Sequence, residues 1–317
     1  MAQSTRHPGH PLRVLITSDT FPPDINGAAR FTERLAGGLV RNSNDVHVIA
    51  PSFNKTWGTS TEIIDSVPMT VHRIRSYKVP FHKTLRYVNP FTLRKKVDLI
   101  LDGFEPDAIH SQSHLILGRI CMRSGIQRNI RLVATNHIMP ENILRYLPLP
   151  KFLENKFKSK LWKDAGKVLA NFDHVTTPTR RAAELLESAA GMSNVLAISC
   201  GIDATNFTNT TPTSNKPFRI LFLGRLDWEK HIHNLLNAVA KLPNEIDFYV
   251  EIAGDGNQRK YLNELAVELG IAERVKFLGH ITEEELPLAY ERATVFAMPS
   301  IAELQSIATM EAMASGR

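Results

Sequence analysis

The stretch RILFLGRLDWEK, residues 219–230, decides the fold class because an apolar run leads directly into a charged loop. RILFL has the length and bulk of a buried strand. Similar short runs recur along the chain and alternate with stretches of helical spacing. The predicted strands are 13–17, 45–50, 106–110, 132–135, 175–177, 219–223, 248–253, 275–278 and 295–298, and the predicted helices are 28–41, 234–241, 257–269, 283–292 and 305–314. This alternation predicts an α/β fold with parallel sheets covered on both faces.

A stretch rich in Thr, Asn, Ser and Pro, TNFTNTTPTSNKP at residues 205–217, divides the chain. This composition is typical of a linker. We therefore predict an N-terminal domain over residues 1–204 and a second domain over residues 218–317. The second pattern stops at residues 315–317, directly after a helix, where the alternation requires another strand. The second domain is accordingly expected to be incomplete.

Composition restricts the class of protein. The 317 residues are 43% hydrophobic and 22% charged, which is typical of a globular chain. Cys121 and Cys200 are too few for a disulfide framework and fit a reducing compartment. The N-terminus lacks the apolar core of a signal peptide, and no apolar run reaches the about 18 residues of a membrane span. We expect a cytoplasmic protein that contacts a membrane only at its surface.

The charge is unevenly distributed between the two halves. Residues 1–200 hold 27 Lys and Arg against 16 Asp and Glu, a net charge of +11, while residues 201–317 hold 11 against 16, a net −5. Residues 151–167, KFLENKFKSKLWKDAGK, carry +4 and place aromatic residues at roughly helical spacing. A basic amphipathic helix of this kind is a candidate for an anionic membrane surface. Two alternatives remain, a helix packed into the core and a basic surface that is merely solvated. Nucleic acid is not an expected partner, because no recognition motif is present and the second half is acidic.

Several motifs of nucleotide and metal chemistry are missing. Gly254 and Gly256 lack the third glycine of a dinucleotide fingerprint, and there is no P-loop, nucleophile elbow or D-x-D pair. The 12 histidines show no zinc spacing. We therefore expect neither a metal site nor a bound cofactor.

Charged residues follow two of the predicted strands. Because open α/β sheets bind ligands at the carboxyl ends of their strands, Arg225 and Lys230 are candidates for holding a diphosphate. Glu303 lies between strand 295–298 and the last helix, where a helix N-terminus attracts anions. It is a candidate for sugar hydroxyls, and Glu311 on that helix is a candidate for a ribose. A solvated loop, a helix-capping acid and a surface glutamate are the structural alternatives.

Two residues of the first half occupy comparable places. Gly27 lies between the first strand and a helix, where a glycine lets the backbone approach a phosphate. An ordinary turn glycine is the alternative. His137 follows strand 132–135, which favours a site, although a lone histidine is more often structural.

Taken in order, SDTFPPDING, ATNH, SCGIDATNF, FLGRLDWEKH, IAGDG, VKFLGHI and PSIAELQSIATMEAMASG resemble the retaining family-4 glycosyltransferases of the GT-B fold. The resemblance extends over about residues 12–317 and implies two Rossmann-like domains facing a cleft. It also implies transfer of a hexose, mannose or glucose, from a nucleotide-diphosphate sugar to a lipid or saccharide acceptor, without metal. Trp228, His231, Gln305, Ser306 and Ala28 depart from the usual family pattern.

The resemblance also implies roles for individual residues. Arg225 and Lys230 would hold the diphosphate and its leaving charge, Glu303 the transferred sugar and Glu311 the ribose. Gly27 and His137 would close the site from the N-terminal domain, His137 with a catalytic role. Backbone groups complete the donor site: Leu304, Gln305, Ser306 and Ile307 at the phosphate, and Gly279, His280 and Ile281 at the base.

Other functions stay open at this point. The same fold also supports a sugar-nucleotide epimerase, which would release nucleotide without an acceptor. The incomplete second domain also allows a non-catalytic remnant that only binds nucleotide.

Overall fold

The computed structural model describes residues 10–24, 26–54, 57–78, 86–140, 150–207, 217–243, 245–301 and 303–317. The chain divides into two compact units, residues 1–200 and residues 201–317. The predicted linker at 205–217 begins inside a 3-10 turn, Ala204–Phe207, whose Phe207 is buried in the core of the second unit. Residues 208–216 of the predicted linker lie outside the described residues.

The first unit is a mixed sheet with helices between its strands. In chain order its elements are β1 (Arg13–Thr17), α1 (Gly27–Arg41), β2 (Asp45–Ser52), β3 (Gly58–Ile64), β4 (Val67–Lys78), β5 (Arg86–Val88), α2 (Pro90–Phe104), β6 (Ala108–Ser111), α3 (Ile116–Ile126), β7 (Arg131–Thr135), α4 (Lys151–Leu169), β8 (His174–Thr177), α5 (Arg180–Ala190) and β9 (Leu196–Ala197). The strand order is β3-β4-β2-β1-β6-β7-β8-β9, with β5 paired to β4. Strands β4 to β9 along this path run parallel.

The prediction of a wholly parallel sheet is wrong at one edge of this unit. Strands β3 and β5 both pair antiparallel with β4. Asp65 and Ser66 join β3 to β4, and both have left-handed backbone angles, φ 50° and 63°. A two-residue turn of this kind matches the right-handed twist of the strands and closes a hairpin.

The second unit is a smaller parallel sheet. Its elements are β10 (Phe218–Leu223), a 3-10 turn (Trp228–Lys230), α6 (Ile232–Val239), β11 (Phe248–Ala253), α7 (Arg259–Glu268), β12 (Val275–Gly279), α8 (Glu285–Arg292), β13 (Val295–Phe296) and α9 (Ile307–Ala314). The order β12-β11-β10-β13 is parallel throughout. Phe222, Phe248 and Ile252 are among the buried residues that pack against α6 and α7. As predicted, α7 is followed by a glycine, Gly270, with φ 70°.

Both sheets have a point where the strand order reverses. In the first unit β1 lies between β2 and β6, and in the second unit β10 lies between β11 and β13. Ligands of open α/β sheets bind beyond the carboxyl ends of the strands at such points. We call the segments that follow β1, β6, β7 and β8 the first-unit edge, and those that follow β10, β11, β12 and β13 the second-unit edge.

Candidate active site

Arg225 lies at the second-unit edge, in the loop that follows β10. Its guanidinium donates to Asp227 Oδ2 at 2.5 Å and to Glu229 Oε1 at 3.1 Å. The two carboxylates are nearly buried, whereas 42% of the Arg225 side chain is exposed. The carboxylates therefore fix the direction of the guanidinium while solvent still reaches it.

Lys230 and Glu303 form an ion pair across the second-unit edge. The ammonium nitrogen of Lys230, in the loop after β10, donates to Glu303 Oε1, in the loop after β13. The side chains are 13% and 25% exposed. Two residues that are 73 positions apart in the sequence, and that were predicted on separate grounds, thus meet at the point where the strand order reverses.

Backbone contacts hold these loops together. The Ser300 hydroxyl and the Ile301 amide both donate to the Glu229 carbonyl oxygen at 3.1 Å, which ties the loop after β13 to the loop after β10. The loop after β11 approaches so closely that a Cβ on Gly254 would lie 1.9 Å from the Gly224 carbonyl oxygen. Only glycine fits there, because any side chain would push the two backbones apart. Gly254, one of the two glycines that resemble a dinucleotide fingerprint, is therefore required for packing between the two loops.

The predicted base-binding segment, 279–281, continues this arrangement. Gly279 ends β12 with φ 72°, and its carbonyl oxygen accepts from the Gly254 amide at 2.6 Å. His280 is exposed and Ile281 is half-buried beside the second unit's core. The loops after β11 and β12 are thereby joined, and the segment lies at the second-unit edge.

The last helix begins two residues later than predicted. Ser306 caps α9 by accepting from the Thr309 amide at 3.1 Å, so Ile307 is the first helical residue. Leu304 and Gln305 precede the cap and are half-buried. Glu303 is therefore not the helix cap that was its structural alternative. Ser306 caps the helix, and Glu303 pairs with Lys230.

Glu311 differs from the surface glutamate that was the alternative. It is 4% exposed, and its Oε2 accepts from the Tyr290 hydroxyl at 3.1 Å. The pKa of Tyr290 is raised, mainly by burial and also by the Glu311 charge. Sequence reasoning missed Tyr290, since a tyrosine inside an ordinary amphipathic helix carries no local signal. The hydrogen bond from Tyr290 does not test the ribose role of Glu311, which stays a prediction.

Gly27 lies in the first unit as the first residue of α1, one residue earlier than the predicted helix start. The preceding Asn26 caps the helix through its side-chain oxygen, which accepts from the Ala29 amide at 3.0 Å. Gly27 is exposed. It is thus a helix N-terminal glycine rather than a turn glycine.

His137 lies at the first-unit edge, two residues beyond β7. Its Nε2 is 3.1 Å from Gln112 Oε1, beyond β6, and its ring lies 4.8 Å from the Phe31 ring of α1. Burial, reinforced by His110, lowers its pKa to about 4, so the imidazole is neutral near pH 7. Gln112, which is 2% exposed, was not singled out by sequence reasoning.

Further buried polar groups lie in the first unit, at the carboxyl ends of its strands and in the segments that follow them. His110 Nε2 lies 2.8 Å from the Thr135 hydroxyl, which is 2.7 Å from the Thr176 hydroxyl. Burial lowers the pKa of His110 and of His114 to about 4. Desolvation also raises the pKa of Asp19 to about 6, although the Ser113 hydroxyl donates to it.

A cavity of about 400 Å³ lies elsewhere in the first unit, between α2 and strands β2 to β4. His47 stacks on Phe104 in its wall at 3.7 Å, and the Lys96 ammonium lies 4.8 Å from the centre of the Trp57 ring. None of the predicted site residues lines it.

Two family models match the chain. Glycosyltransferase Family 4 matches residues 25–206, and Glycosyl transferases group 1 matches residues 203–317. The chain belongs to glycosyltransferase family 4. This enzyme is 27% identical to a GDP-mannose-dependent alpha-mannosyltransferase of Mycolicibacterium smegmatis, over 96% of this chain and 78% of that protein. It is 24% identical to an alpha-monoglucosyldiacylglycerol synthase of Streptococcus pneumoniae, over 96% and 70%.

A solved structure shares the fold of this chain. Sucrose-phosphate synthase from Thermosynechococcus elongatus superposes with a TM-score of 0.73 at 19% identity, covering 96% of this chain and 79% of that one. The glycosyltransferase therefore has the GT-B fold. Across its described helices, no segment has the length and hydropathy needed to cross a bilayer.

Proposed function

We propose that this glycosyltransferase transfers a hexose, mannose or glucose, from a nucleotide-diphosphate sugar to a lipid or saccharide acceptor, with retention and without metal. The observation that carries the proposal is the Lys230–Glu303 pair at the reversal of strand order in the second unit. It places a cation suited to a phosphate beside a carboxylate suited to sugar hydroxyls.

The proposal gives each donor-site residue a role. Arg225 and Lys230 stabilise the negative charge that develops on the leaving diphosphate, which requires preorganised cations. The backbone at 304–307 extends the phosphate site toward the N-terminus of α9, where helix amides favour anions. Glu303 accepts hydrogen bonds from the sugar, Glu311 from the ribose, and 279–281 holds the base.

Retention is explained by a front-face reaction. The bond between the anomeric carbon and the diphosphate oxygen breaks, and the acceptor oxygen bonds to the same face of that carbon. The acceptor proton passes to the departing phosphate oxygen, so that no basic side chain is needed. Gly27 and His137 act from the first unit, and the low pKa of His137, about 4, fits a polar contact rather than a general base.

The named relatives support the choice of sugar. One is a GDP-mannose-dependent mannosyltransferase, and another forms a glucosylated diacylglycerol by its name. The second also supports a lipid acceptor and action at the surface of a membrane.

Helix α4 supplies a surface for such an acceptor. Trp162 is 3% exposed and packs inward, whereas Phe152 and Leu153 in its first turn are 79% and 39% exposed. Lys156 and Lys160 on the same helix are exposed. The buried Trp162 favours core packing for the second half of the segment, and the exposed residues of its first turns support the proposed lipid surface there.

A donor panel with product analysis tests the proposal. UDP-, GDP- and ADP-hexoses are incubated with diacylglycerol, monoglucosyldiacylglycerol or maltose, with and without EDTA, and the products are examined by NMR. We expect an α-linked product from one donor in both conditions. A β-linked product contradicts retention, and loss with EDTA contradicts metal independence. An epimerised sugar or free nucleotide without acceptor identifies the epimerase. Nucleotide binding without turnover on any donor identifies a non-catalytic protein.

A further inference from the structure

The cavity between α2 and strands β2 to β4, which we call the α2 cavity, has the dimensions of a small-molecule site. Its volume is about 400 Å³, near the lower end of the range of about 300–1,000 Å³ that ligand pockets occupy. It extends along α2 from Leu93 to Phe104, which is about 16 Å of helix. A cavity that is small and elongated suits one extended chain better than a compact ring system.

Most of the lining of the α2 cavity is apolar. The apolar side chains include Ile74 of β4 and Leu93, Val97, Leu99, Ile100 and Phe104 of α2. Leu99 is 70% exposed, so this leucine borders the cavity while most of its surface is in water. A hydrocarbon chain in the cavity would cover Leu99, and removing apolar surface from water is favourable.

Two glycines leave room on opposite walls of the cavity. Gly103 belongs to α2 and Gly58 begins β3. Within the described ranges, a Cβ on either glycine would meet no heavy atom within 4 Å, and neither backbone has a left-handed φ. A glycine inside a helix lowers stability relative to alanine. Since neither packing nor backbone conformation requires Gly103, its contribution is the space that it leaves in the cavity.

Lys96 brings a positive charge to the α2 cavity. Its ammonium lies 4.8 Å from the centre of the Trp57 ring, which lines the opposite wall just before β3. A ring contact attracts the ammonium but does not neutralise it. The two acids of α2, Asp98 and Asp102, accept hydrogen bonds from Arg128 at 2.9 and 2.8 Å instead. The charge of Lys96 is therefore available to an anionic ligand.

The other basic side chains of the lining are engaged or neutral. Arg73 donates through Nε to Glu62 Oε1 at 2.9 Å. His47 Nδ1 and His72 Nε2 lie 3.1 Å apart. Burial lowers the pKa of both imidazoles, to about 4 for His72, so both rings are neutral near pH 7. Lys96 is thus the group in this lining that suits an anion.

We propose that the α2 cavity binds a single-chain fatty acid, with its hydrocarbon chain along α2 and its carboxylate at Lys96. The apolar lining holds the chain. A charge-assisted hydrogen bond from the ammonium to the carboxylate fixes its direction. The volume suits one chain rather than the two of a phospholipid. None of the predicted donor-site residues lines this cavity, so binding there does not depend on the transferase reaction.

Titration calorimetry of the full chain with dodecanoate, below its micelle-forming concentration and without a donor sugar, tests the proposal. We expect a single dodecanoate per chain. Dodecanol, which has the chain without the charge, should bind more weakly, and acetate, which has the charge without the chain, should not bind. No binding of dodecanoate, or equal affinity for dodecanol, overturns the proposal.

Gly103→Leu fills the α2 cavity from its helix. Leucine is also the better helix former, so the variant should fold, which thermal unfolding checks. The affinity for dodecanoate should fall on the order of tenfold or more, since the side chain takes the place of the ligand. Gly38→Leu is the matched control, because Gly38 lies in α1 and its Cβ would likewise meet no described atom within 4 Å. Equal affinity in the two variants overturns the proposal.

Lys96→Gln tests the proposal at an exposed position, even if the leucine variant does not fold. It should weaken dodecanoate on the order of tenfold and leave dodecanol unchanged, because only the acid carries a charge. Lys95→Gln, which removes the neighbouring exposed lysine outside the lining, should change neither. Unchanged dodecanoate affinity in Lys96→Gln overturns the proposal. So does a chain that floats with phosphatidylglycerol vesicles through Lys96 but binds no dodecanoate, since the lysine then serves a membrane surface.

Discussion

The two sheet edges that carry the predicted residues differ in how they handle charge. At the second-unit edge the cations Arg225 and Lys230 are paired with carboxylates and remain partly exposed. In the first unit, His110 in β6 and His137 at the first-unit edge are buried, neutral rings that contact a hydroxyl and an amide group. A diphosphate is bound best by cations, whereas neutral buried groups can only donate or accept uncharged hydrogen bonds. The comparison shows that the corresponding parts of two α/β sheets can differ sharply in charge and burial.

Acid should have the largest effect and should act on the first unit. Folding lowers the pKa of His110, His114 and His137 from 6.5 to about 4. As the pH falls below about 6.5, the unfolded chain takes up protons that the folded unit does not. The free energy of unfolding therefore decreases, by about 2–3 kcal/mol for each imidazole near pH 4.

Asp19 works in the opposite direction. Its folded pKa, about 6, lies above the ordinary value, so the stability that it costs near pH 7 is regained as the pH falls through 6. The stability regained at Asp19 offsets the loss caused by about one imidazole. His72, whose pKa is also lowered to about 4, adds to the loss. Hydrogen exchange measured by mass spectrometry between pH 7 and 4.5, corrected for intrinsic rates, checks the prediction. Equal destabilisation of both units would contradict the comparison.

Glu303→Gln should have the next largest effect, on turnover. The amide cannot balance the Lys230 charge or accept sugar hydroxyls as strongly, so kcat should fall on the order of a hundredfold. Affinity for the free nucleoside diphosphate should persist. Calorimetry and a transfer assay measure the two quantities. Glu264→Gln, which alters an exposed Lys–Glu pair of the same unit, is the control and should change neither. A parallel loss of binding and turnover would show that Glu303 holds the nucleotide and not the sugar.

Arg225→Ala and Lys230→Ala should weaken nucleotide binding. Each removes a charged hydrogen bond, which contributes about 1.5–3 kcal/mol. Titration calorimetry with UDP, GDP and ADP measures the change, and Lys260→Ala serves as a control on the opposite member of that exposed pair. Unchanged nucleotide affinity in both site variants would contradict the assignment of the diphosphate site to the second-unit edge.

The smallest effect is expected for single lysines of α4. Lys156→Ala and Lys160→Ala should each weaken binding to vesicles that contain phosphatidylglycerol by about 1 kcal/mol. Binding to pure phosphatidylcholine vesicles should be absent, and salt should reduce the rest. Vesicle flotation with Lys260→Ala as the control provides the measurement. Equal binding to both kinds of vesicle would leave the basic first unit without a role in lipid recognition.

Elements with a clear period were predictable from sequence, and a two-residue hairpin was not. β1, β11 and most of the parallel strands agree with prediction to within two or three residues, because buried strands are continuous apolar runs. β3 was missed because most of its side chains are exposed and polar. Its turn, Asp65-Ser66, lacks the glycine that marks such hairpins. His231 shows the same limit, since its backbone has a left-handed φ of 48° that glycine adopts more readily, and the neighbouring sequence does not predict that conformation.

The sequence by itself determined the fold class, the division into two units and the residues that follow each strand, because these depend on local periodicity and on the order of elements. Tertiary structure alone decided which of those residues meet. The Lys230–Glu303 pair spans 73 positions, and the Tyr290–Glu311 and Gln112–His137 contacts link separate elements. Such pairings depend on which strands become neighbours in a sheet. The protonation of His137 was likewise beyond the sequence, because it depends on burial and on the partner that occupies Nε2.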